Sequence, residues 1–306
     1  MSVVLCTYAE SMYDDFREAA DSILNQTYED VELVIIVDGT QPVFDKVHEE
    51  YGDSSNIILH CNDENVGLLK SRNRGAQLAT GDIIAFIDDD AIADDEWVEQ
   101  LVRSYDKQDA LAVGGRMTPD WVAGRPPFLP GEFFWLVGVT HDGFSDGRGY
   151  VRNTFGSNIS FDREVFLKLG GFDTDIGGRK GDKNLQGGET ELCARLDQEY
   201  ASRVWYNPDA IVAHKVFNYR THPIWLLDRA FWQGYSKRAM ETLLPESTGE
   251  EADFLRKLLG ESVPKRMRRI IRKPELDQFL QLAMLFVFTA AVGAGYLYAI
   301  MRWHET

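Results

Sequence analysis

The sequence predicts an α/β fold, because apolar runs of strand length alternate with helical stretches through the first 115 residues. Such alternation implies crossover helices between successive strands and favours a parallel sheet with helices on both faces. The strand-length runs are continuously apolar rather than alternating, as expected for strands buried on both sides. The predicted strands are residues 3–6, 32–37, 57–61, 83–87 and 111–114, and the predicted helices between them are residues 14–24, 67–78 and 96–105.

Two of the predicted strands end in carboxylates. The run Ile84-Ala85-Phe86-Ile87 leads directly into Asp88-Asp89-Asp90, and Ile35-Ile36-Val37 leads into Asp38. Sheets of this class bind ligands at the carboxyl ends of their strands, and adjacent carboxylates suit Mg²⁺ or Mn²⁺. An isolated Asp triplet is also typical of a solvated turn. The second acidic strand end favours a ligand site.

After residue 115 the pattern changes. Residues 115–190 are rich in glycine, proline and aromatic residues, and residues 221–244 predict a helix. That helix carries Trp225, Phe231 and Trp232 together with Arg229 and Lys237. An amphipathic helix of this kind docks on a core or lies in a membrane interface.

The chain is strongly acidic. Its net charge is −17, with 49 Asp and Glu against 32 Lys and Arg, of which 11 are Lys. A surface of this kind argues against nucleic acid as the main partner, since phosphate binding requires a cationic face. It fits a protein that stays soluble at high salt, which indicates a halophilic source. The three cysteines form no zinc motif and fit a reducing compartment.

The last forty residues predict a membrane anchor. A dense basic run at residues 265–273 precedes the 24 positions from 278 to 301, which contain no charged residue. About 20 apolar residues suffice to span a bilayer. The basic run marks the cytoplasmic side by the positive-inside rule and also attracts anionic headgroups. We therefore predict a transmembrane helix at residues 276–302, although a buried C-terminal helix is the alternative.

Six short segments follow one another along the chain: Val3 to Tyr8, Ile35 to Gly39, Asn65 to Gly75, Asp88 to Asp90, Gly170 to Asp173, and Gly188 to Leu192. In this order they resemble the family 2 glycosyltransferases over roughly residues 2–240. The resemblance implies the GT-A fold, a Rossmann-like fold of nucleotide-diphospho-sugar transferases. It also implies a catalytic domain at residues 1–240, which leaves residues 241–275 as a basic juxtamembrane linker.

The resemblance assigns the donor site. It places Thr7 and Tyr8 in the nucleotide loop and makes Asp38 the partner of the donor base. Asp88 would contact the ribose or share a metal ion.

Two further residues follow from the same resemblance. Asp90 would hold Mg²⁺ or Mn²⁺, which neutralises charge on the leaving diphosphate. Arg72 is a plausible diphosphate partner because guanidinium binds phosphate in a forked geometry. The alternative for Arg72 is a surface cation on its helix.

On the acceptor side, the resemblance makes Glu189 the general base that deprotonates the acceptor hydroxyl. Glu191 competes for the role, although it can instead bind a helix end or Arg195. His214 resembles a metal-ligating histidine of some GT-A enzymes, whereas a lone histidine is more often structural. The chain departs from the family pattern at Gly188, where a first acid is common, and at Glu10, where arginine is common.

Together these features predict a membrane-anchored, metal-dependent inverting glycosyltransferase at the cytoplasmic face of the cell membrane. A nucleotide-sugar would be its donor and a lipid-linked glycan, on dolichol phosphate, its acceptor. The resemblance is closest to archaeal enzymes of protein N-glycosylation, which in a halophile would serve proteins such as those of an S-layer. Two alternatives are a nucleotidyltransferase acting on a sugar phosphate and a non-catalytic membrane scaffold with this fold.

Overall fold

The computed structural model describes residues 1–176, 178–180, 183–243 and 250–302 of the chain. These residues form two compact units. The first consists of residues 1–119, 147–175 and 188–215, and the second of residues 120–146, 176–187 and 216–306.

The first unit is built on four parallel strands, which lie in the order β3-β2-β1-β4. Cys6 of β1 lies opposite both Ile36 of β2 and Asp88 of β4. This register ends the three strands level with one another, so the polar residues that follow them meet at one edge. The strands are β1 Ser2–Thr7, β2 Glu32–Val37, β3 Ile57–Cys61 and β4 Ile83–Asp88.

The rest of the sheet is not parallel, so the predicted parallel sheet is correct only for these four strands. The strand order continues from β4 through β8, β6 and β11 to β5, with β7 also beside β11. The pairs β4–β8, β6–β8, β11–β5 and β11–β7 are antiparallel. Antiparallel strands need no crossover helix, which explains why the strand–helix alternation stops near residue 115. These strands are β5 Ala91–Ala93, β6 Ala112–Trp121, β7 Gly149–Val151, β8 Ile159–Asp162 and β11 Val204–Val216.

Helices cover the parallel strands, and the three predicted there are confirmed within a few residues. Helices α2, α5 and α6 were not predicted. In α2, however, Val43, Val47 and Tyr51 recur at four-residue spacing and are buried. This spacing is the signature of a helix with one buried face. The helices of the first unit are α1 Tyr13–Leu24, α2 Gln41–Tyr51, α3 Leu68–Leu78, α4 Trp97–Gln108, α5 Arg163–Lys168 and α6 Gly188–Tyr200.

The second unit is mainly helical, with a two-stranded hairpin of β9 Gly178–Lys180 and β10 Lys183–Leu185. The helix predicted at 221–244 is α7 Pro223–Leu243, and Leu244 lies outside the described residues. The segment predicted as a linker contains α8 Glu250–Lys257 and α9 Val263–Arg272, joined by a π-helical turn. Its residues 244–249 also lie outside the described part of the chain.

The last helix, α10, runs from Leu276 to Arg302. Among the described residues it is the one helix that is long and apolar enough to cross a membrane, as the sequence predicted. It shares a core with α7 and with a 3₁₀ helix at Gly131–Val137. That core includes Leu129, Phe133, Leu136, Leu226, Leu285 and Phe288.

Candidate active site

The site residues of the first unit meet at the carboxyl ends of β1, β2 and β4. Thr7 is the last residue of β1, Asp38 follows β2, and Asp88 ends β4. The sheet register therefore brings together residues that are up to 81 positions apart in the chain. This is the ligand-binding edge of an α/β sheet.

Asp38 is buried and organises the start of α3. Its Oδ1 accepts hydrogen bonds from Asn62 Nδ2 at 2.8 Å and from the Val66 backbone N–H at 2.9 Å. Its Oδ2 accepts from the Gly67 N–H at 2.8 Å. A carboxylate at the N-terminus of a helix is stabilised by exposed N–H groups and by the helix dipole. Asp38 thus fixes the helix that carries Arg72, while its predicted contact with a donor base stays a prediction.

Arg72 is 2% exposed and not a surface cation. Its Nη2 donates to Asp88 Oδ1 at 2.5 Å, and its Nη1 donates to Glu189 Oε1 at 3.1 Å. Burial disfavours the charged guanidinium, but the two carboxylates outweigh this effect and the pKa of Arg72 is raised. The rings of Phe86 and Phe172 lie 5.9 and 5.7 Å from its Cζ, within cation–π range. One buried cation therefore links the proposed donor-binding carboxylate to the proposed base.

Glu189 lies in the first turn of α6, where a negative charge is favoured by the helix dipole. Gly156 approaches it so closely that a Cβ there would overlap Glu189 Oε1 and crowd Arg72 Nη1. The Glu189 side chain is 25% exposed and can be reached from solvent. A carboxylate that is held in place and still accessible is a suitable proton acceptor.

Glu191, the competing acid, is 6% exposed and has a structural role in these contacts. Its two carboxylate oxygens accept hydrogen bonds from Arg195 Nε and Nη2 at 2.5 and 2.6 Å. Arg195 also donates to the carbonyl oxygens of Leu169 and Gly171. The pair ties α6 to the turn after α5, which is the alternative that the sequence left open for Glu191.

Asp90 and His214 face each other across the β5–β11 pairing. His214 lies opposite Ala91 in the register, which brings its Nε2 to 3.3 Å from Asp90 Oδ1. Adjacent ligands of a six-coordinate ion with bonds of 2.0–2.1 Å lie about 3 Å apart, so this pair fits a divalent cation. Carboxylate and imidazole both suit Mn²⁺. In the described part of the chain no cluster of three or more His, Cys, Asp or Glu side chains is placed to hold a metal ion.

The middle residue of the triplet also faces the nucleotide loop. Thr7 Oγ1 donates to Asp89 Oδ2 at 2.9 Å, while Tyr8 is exposed. Burial raises the pKa of Asp89 to about 7, and the neighbouring carboxylates of Asp90 and Asp88 add to the rise. Thr7 therefore orients the acidic turn, and the contacts of Thr7 and Tyr8 with a donor stay predictions.

A loop before β8 completes the site, and the sequence did not reveal it. Ser157 Oγ accepts a hydrogen bond from the Asp88 N–H at 2.9 Å. Asn158 accepts from Trp97 Nε1 and donates to the carbonyls of Arg116 and Ala210, which ties α4, β6 and β11 together. The Gly-Ser-Asn sequence is typical of any turn, so it carried no signal of this role.

We predict that Arg72 stabilises the fold through its two ion pairs. Arg72→Met leaves Asp88 and Glu189 without their cation, so the free energy of unfolding should fall by about 3 kcal/mol. Arg74, which lies exposed on the same helix, provides the control, and Arg74→Met should change the stability by less than about 0.5 kcal/mol. Urea unfolding of both variants at one salt concentration measures the difference. Equal effects of the two substitutions would contradict this role.

Residues 2–170 match the sequence model of glycosyl transferase family 2. Over 302 residues the chain is 50% identical to a Haloferax volcanii protein named glucosyl-dolichyl phosphate glucuronosyltransferase, covering 98% of this chain and 96% of that protein. The glycosyltransferase GlyA of Streptococcus pneumoniae is 30% identical over 115 residues, which is 37% of this chain and 16% of that protein.

Solved structures share the fold at low sequence identity. S. aureus TarS (residues 1–349) in complex with UDP-GlcNAc gives a TM-score of 0.57 at 16% identity, covering 95% of this chain and 81% of that one. GalNAc-T7 with UDP, GalNAc and Mn²⁺ gives 0.54 at 15% identity, covering 78% and 50%. These likenesses concern the fold alone and confirm the predicted GT-A fold. With the family match over more than half of its length, this chain belongs to glycosyl transferase family 2 and is a glycosyltransferase.

Proposed function

We propose that this chain transfers glucuronic acid from a nucleotide donor to glucosyl-dolichyl phosphate, with inversion at the anomeric carbon. The observation that supports this most is the 50% identity to the Haloferax volcanii enzyme of that name, which extends over nearly the whole of both chains. The enzyme would serve a dolichol-linked pathway of protein glycosylation. The acidic composition, with a net charge of −17, supports a haloarchaeal source. An S-layer protein is proposed as a final acceptor of the glycan.

The donor would bind at the carboxyl ends of β1, β2 and β4. Thr7 and Tyr8 lie in the loop after β1 and are proposed to contact the nucleotide. Asp38 Oδ2 accepts one hydrogen bond, from Gly67, so it retains a lone pair for the donor base. Asp88 would bind the ribose through Oδ2, because Arg72 holds its Oδ1.

Arg72 is proposed to contact the donor diphosphate, as its sequence context indicated, in addition to its two carboxylate partners. Its two terminal nitrogens already bind Asp88 and Glu189, so a donor diphosphate would compete with these carboxylates for the same guanidinium. Donor binding and the placement of the base would in that case be coupled through one side chain.

Glu189 is the proposed general base. Attack of an acceptor hydroxyl on the anomeric carbon releases the nucleoside diphosphate, and the hydroxyl proton passes to the Glu189 carboxylate. Arg72 holds Oε1 of that carboxylate, which limits the orientations that the side chain can adopt. A proton-accepting carboxylate that is already held in place loses less entropy when the transition state is reached.

A divalent cation, Mg²⁺ or Mn²⁺, is proposed to assist the donor. Asp90 and His214 would hold the ion, because the 3.3 Å between Asp90 Oδ1 and His214 Nε2 fits two adjacent ligands. Asp88 is proposed to share it. When bound, such an ion neutralises charge that develops on the leaving diphosphate. Residues 1–240 would form the catalytic domain, residues 241–275 the basic linker, and residues 276–302 the anchor to the cytoplasmic side of the cell membrane.

The function can be tested with the purified full chain at high salt. We expect that UDP-glucuronic acid and glucosyl-dolichyl phosphate give a lipid product heavier by one hexuronic acid, detected by mass spectrometry. UDP-glucose as donor and unmodified dolichyl phosphate as acceptor should give little product. Transfer with equal efficiency in these controls would refute the proposed specificity. Release of pyrophosphate in a separate assay with UTP and a sugar phosphate would instead indicate a nucleotidyltransferase.

The base is tested by a matched pair of substitutions. Glu189→Gln keeps the shape of the side chain and removes the proton acceptor, so turnover of the folded enzyme should fall by ~10²-fold or more. It also removes one of the two charges paired with Arg72, so a loss of stability is expected beside the loss of turnover. Glu191→Gln weakens the contact with Arg195 and should lower the stability, with near-normal turnover of the folded fraction. Steady-state kinetics together with thermal unfolding separates the two effects. A stable, inactive Glu191→Gln alongside an active Glu189→Gln would reverse the assignment.

The metal is tested by removal and return. Excess EDTA should abolish transfer, and added Mn²⁺ or Mg²⁺ should restore it, because the ion offsets charge on the leaving group. Asp90→Asn removes the charge of a buried ligand and should raise the metal concentration needed for half-maximal activity. The titration is made with the wild-type chain in parallel. Full activity in excess EDTA would show that no metal is required.

A further inference from the structure

The apolar helix α10 has two different faces. One face packs on α7 and buries Leu285, Phe288 and Ala299. Two glycines bring the helix backbones into contact. A Cβ on Gly295 would overlap the carbonyl of Phe231, and one on Gly234 would overlap the carbonyl of Val292. This face of α10 is therefore fitted to α7 along most of its length.

The partner helix α7 is amphipathic. It carries five charged residues, and two of them lie near the end of α10. Tyr296 Oη donates to Glu241 Oε2 at 2.6 Å, and Arg238 Nη1 lies 3.3 Å from the same oxygen. The charged residues of α7 are Asp228, Arg229, Lys237, Arg238 and Glu241.

This packing conflicts with a perpendicular crossing of the membrane. With a rise of 1.5 Å per residue, Tyr296 lies about 27 Å along the helix from Gln278. A crossing that began near Gln278 would carry Glu241 and Arg238 through the hydrocarbon to its far side, because they are bound to Tyr296. Charged side chains are costly at that depth. If α10 crossed alone, it would have to leave α7 and lose the glycine-mediated contact.

The opposite face of α10 is exposed and entirely apolar. No charged residue occurs between positions 278 and 301. Met301 remains 67% exposed, and the other large side chains of this face are between 38% and 60% exposed. Contiguous apolar surface of this extent marks an interaction site. The exposed residues are Phe279, Leu280, Phe286, Val287, Leu297, Ile300 and Met301.

Cationic groups lie near the beginning of α10, on the neighbouring helix α9. Arg266 of α9 is fixed by Glu132 and by Gln281 of α10. A cavity of about 90 Å³ beside it is lined by Arg266, Arg269, Gln278 and Gln281. Ile271 of α9 is 79% exposed, next to the exposed Arg272. Apolar surface beside arginine side chains matches the boundary between acyl chains and anionic headgroups.

We propose that α10 lies in the plane of the membrane interface, with its outer face in the acyl region of an anionic bilayer and both of its ends on the same side. This inference rests on the proposed membrane attachment and specifies how the attachment is made. Helix α7 covers the inner face of α10, and exposed cationic residues of α9 supply the headgroup contacts. Interfacial helices of this kind bury their apolar face about 5–10 Å deep.

Cysteine accessibility tests the orientation. Arg302→Cys reports the end of α10, and Glu49→Cys, at an exposed position of α2, reports the catalytic unit. Both are made in a Cys61→Ser background. Cys6 and Cys193 can stay, because burial raises the pKa of both thiols far above the usual range and keeps them unreactive. A membrane-impermeant maleimide is applied to right-side-out and inverted vesicles.

We expect both reporters to react in the same vesicle orientation. Reaction of Arg302→Cys and Glu49→Cys in opposite orientations would show that α10 crosses the membrane and would overturn the proposal. Recovery of the full chain in the soluble fraction would mean that membrane attachment itself fails, a result distinct from a wrong orientation.

Depth measurements add an independent readout. A fluorophore on Phe286→Cys or on Leu297→Cys should be quenched to a similar, shallow depth by spin-labelled anionic lipids. A crossing helix would place the two probes at clearly different depths. An absence of lipid quenching together with a dimer in solution would assign the outer face to a second copy of the chain and would also overturn the proposal.

Discussion

The ion pairs of Arg72 with Asp88 and Glu189 are the interaction on which the proposed active site depends. A guanidinium that is 98% buried is tolerable only when carboxylates compensate for its lost hydration, and the two proposed functional acids supply that compensation. The same contact therefore stabilises the fold and fixes the separation of the donor side from the base. Gly156 belongs to this arrangement, since any larger residue would displace the Glu189 carboxylate.

Backbone geometry positions the remaining groups. Asp38 accepts hydrogen bonds from the N–H groups of Val66 and Gly67 and so sets the start of α3, from which Arg72 projects. The antiparallel pairing of β11 with β5 brings His214 to Asp90, although the two residues are 124 positions apart in the chain. The parallel half of the sheet thus supplies the donor-side carboxylates, and the antiparallel half supplies the second group of the proposed metal site.

The two faces of the C-terminal helix α10 have different surroundings. Helix α10 has no charged residue in its central 24 positions, yet its inner face contacts a helix that bears five charges. Composition alone therefore does not show which face of α10 another helix covers. The cationic residues of α9 are concentrated near the start of α10 in a chain whose net charge is −17, so they can be attracted to anionic headgroups while the rest of the surface is repelled.

The sequence by itself determined the parallel strands, the acidic strand ends and the apolar C-terminal helix, because each is encoded in a short contiguous pattern of hydrophobicity. The order of the short motifs along the sequence was also sufficient to identify the family. Only the tertiary structure decided that Arg72 is buried and that Glu191 forms an ion pair with Arg195. It also decided that β8 and β11 each run antiparallel to neighbouring strands. These facts depend on contacts between distant segments, such as Arg72 with Glu189, which local periodicity cannot encode. Helix α2 was the exception, since its four-residue spacing was present in the sequence.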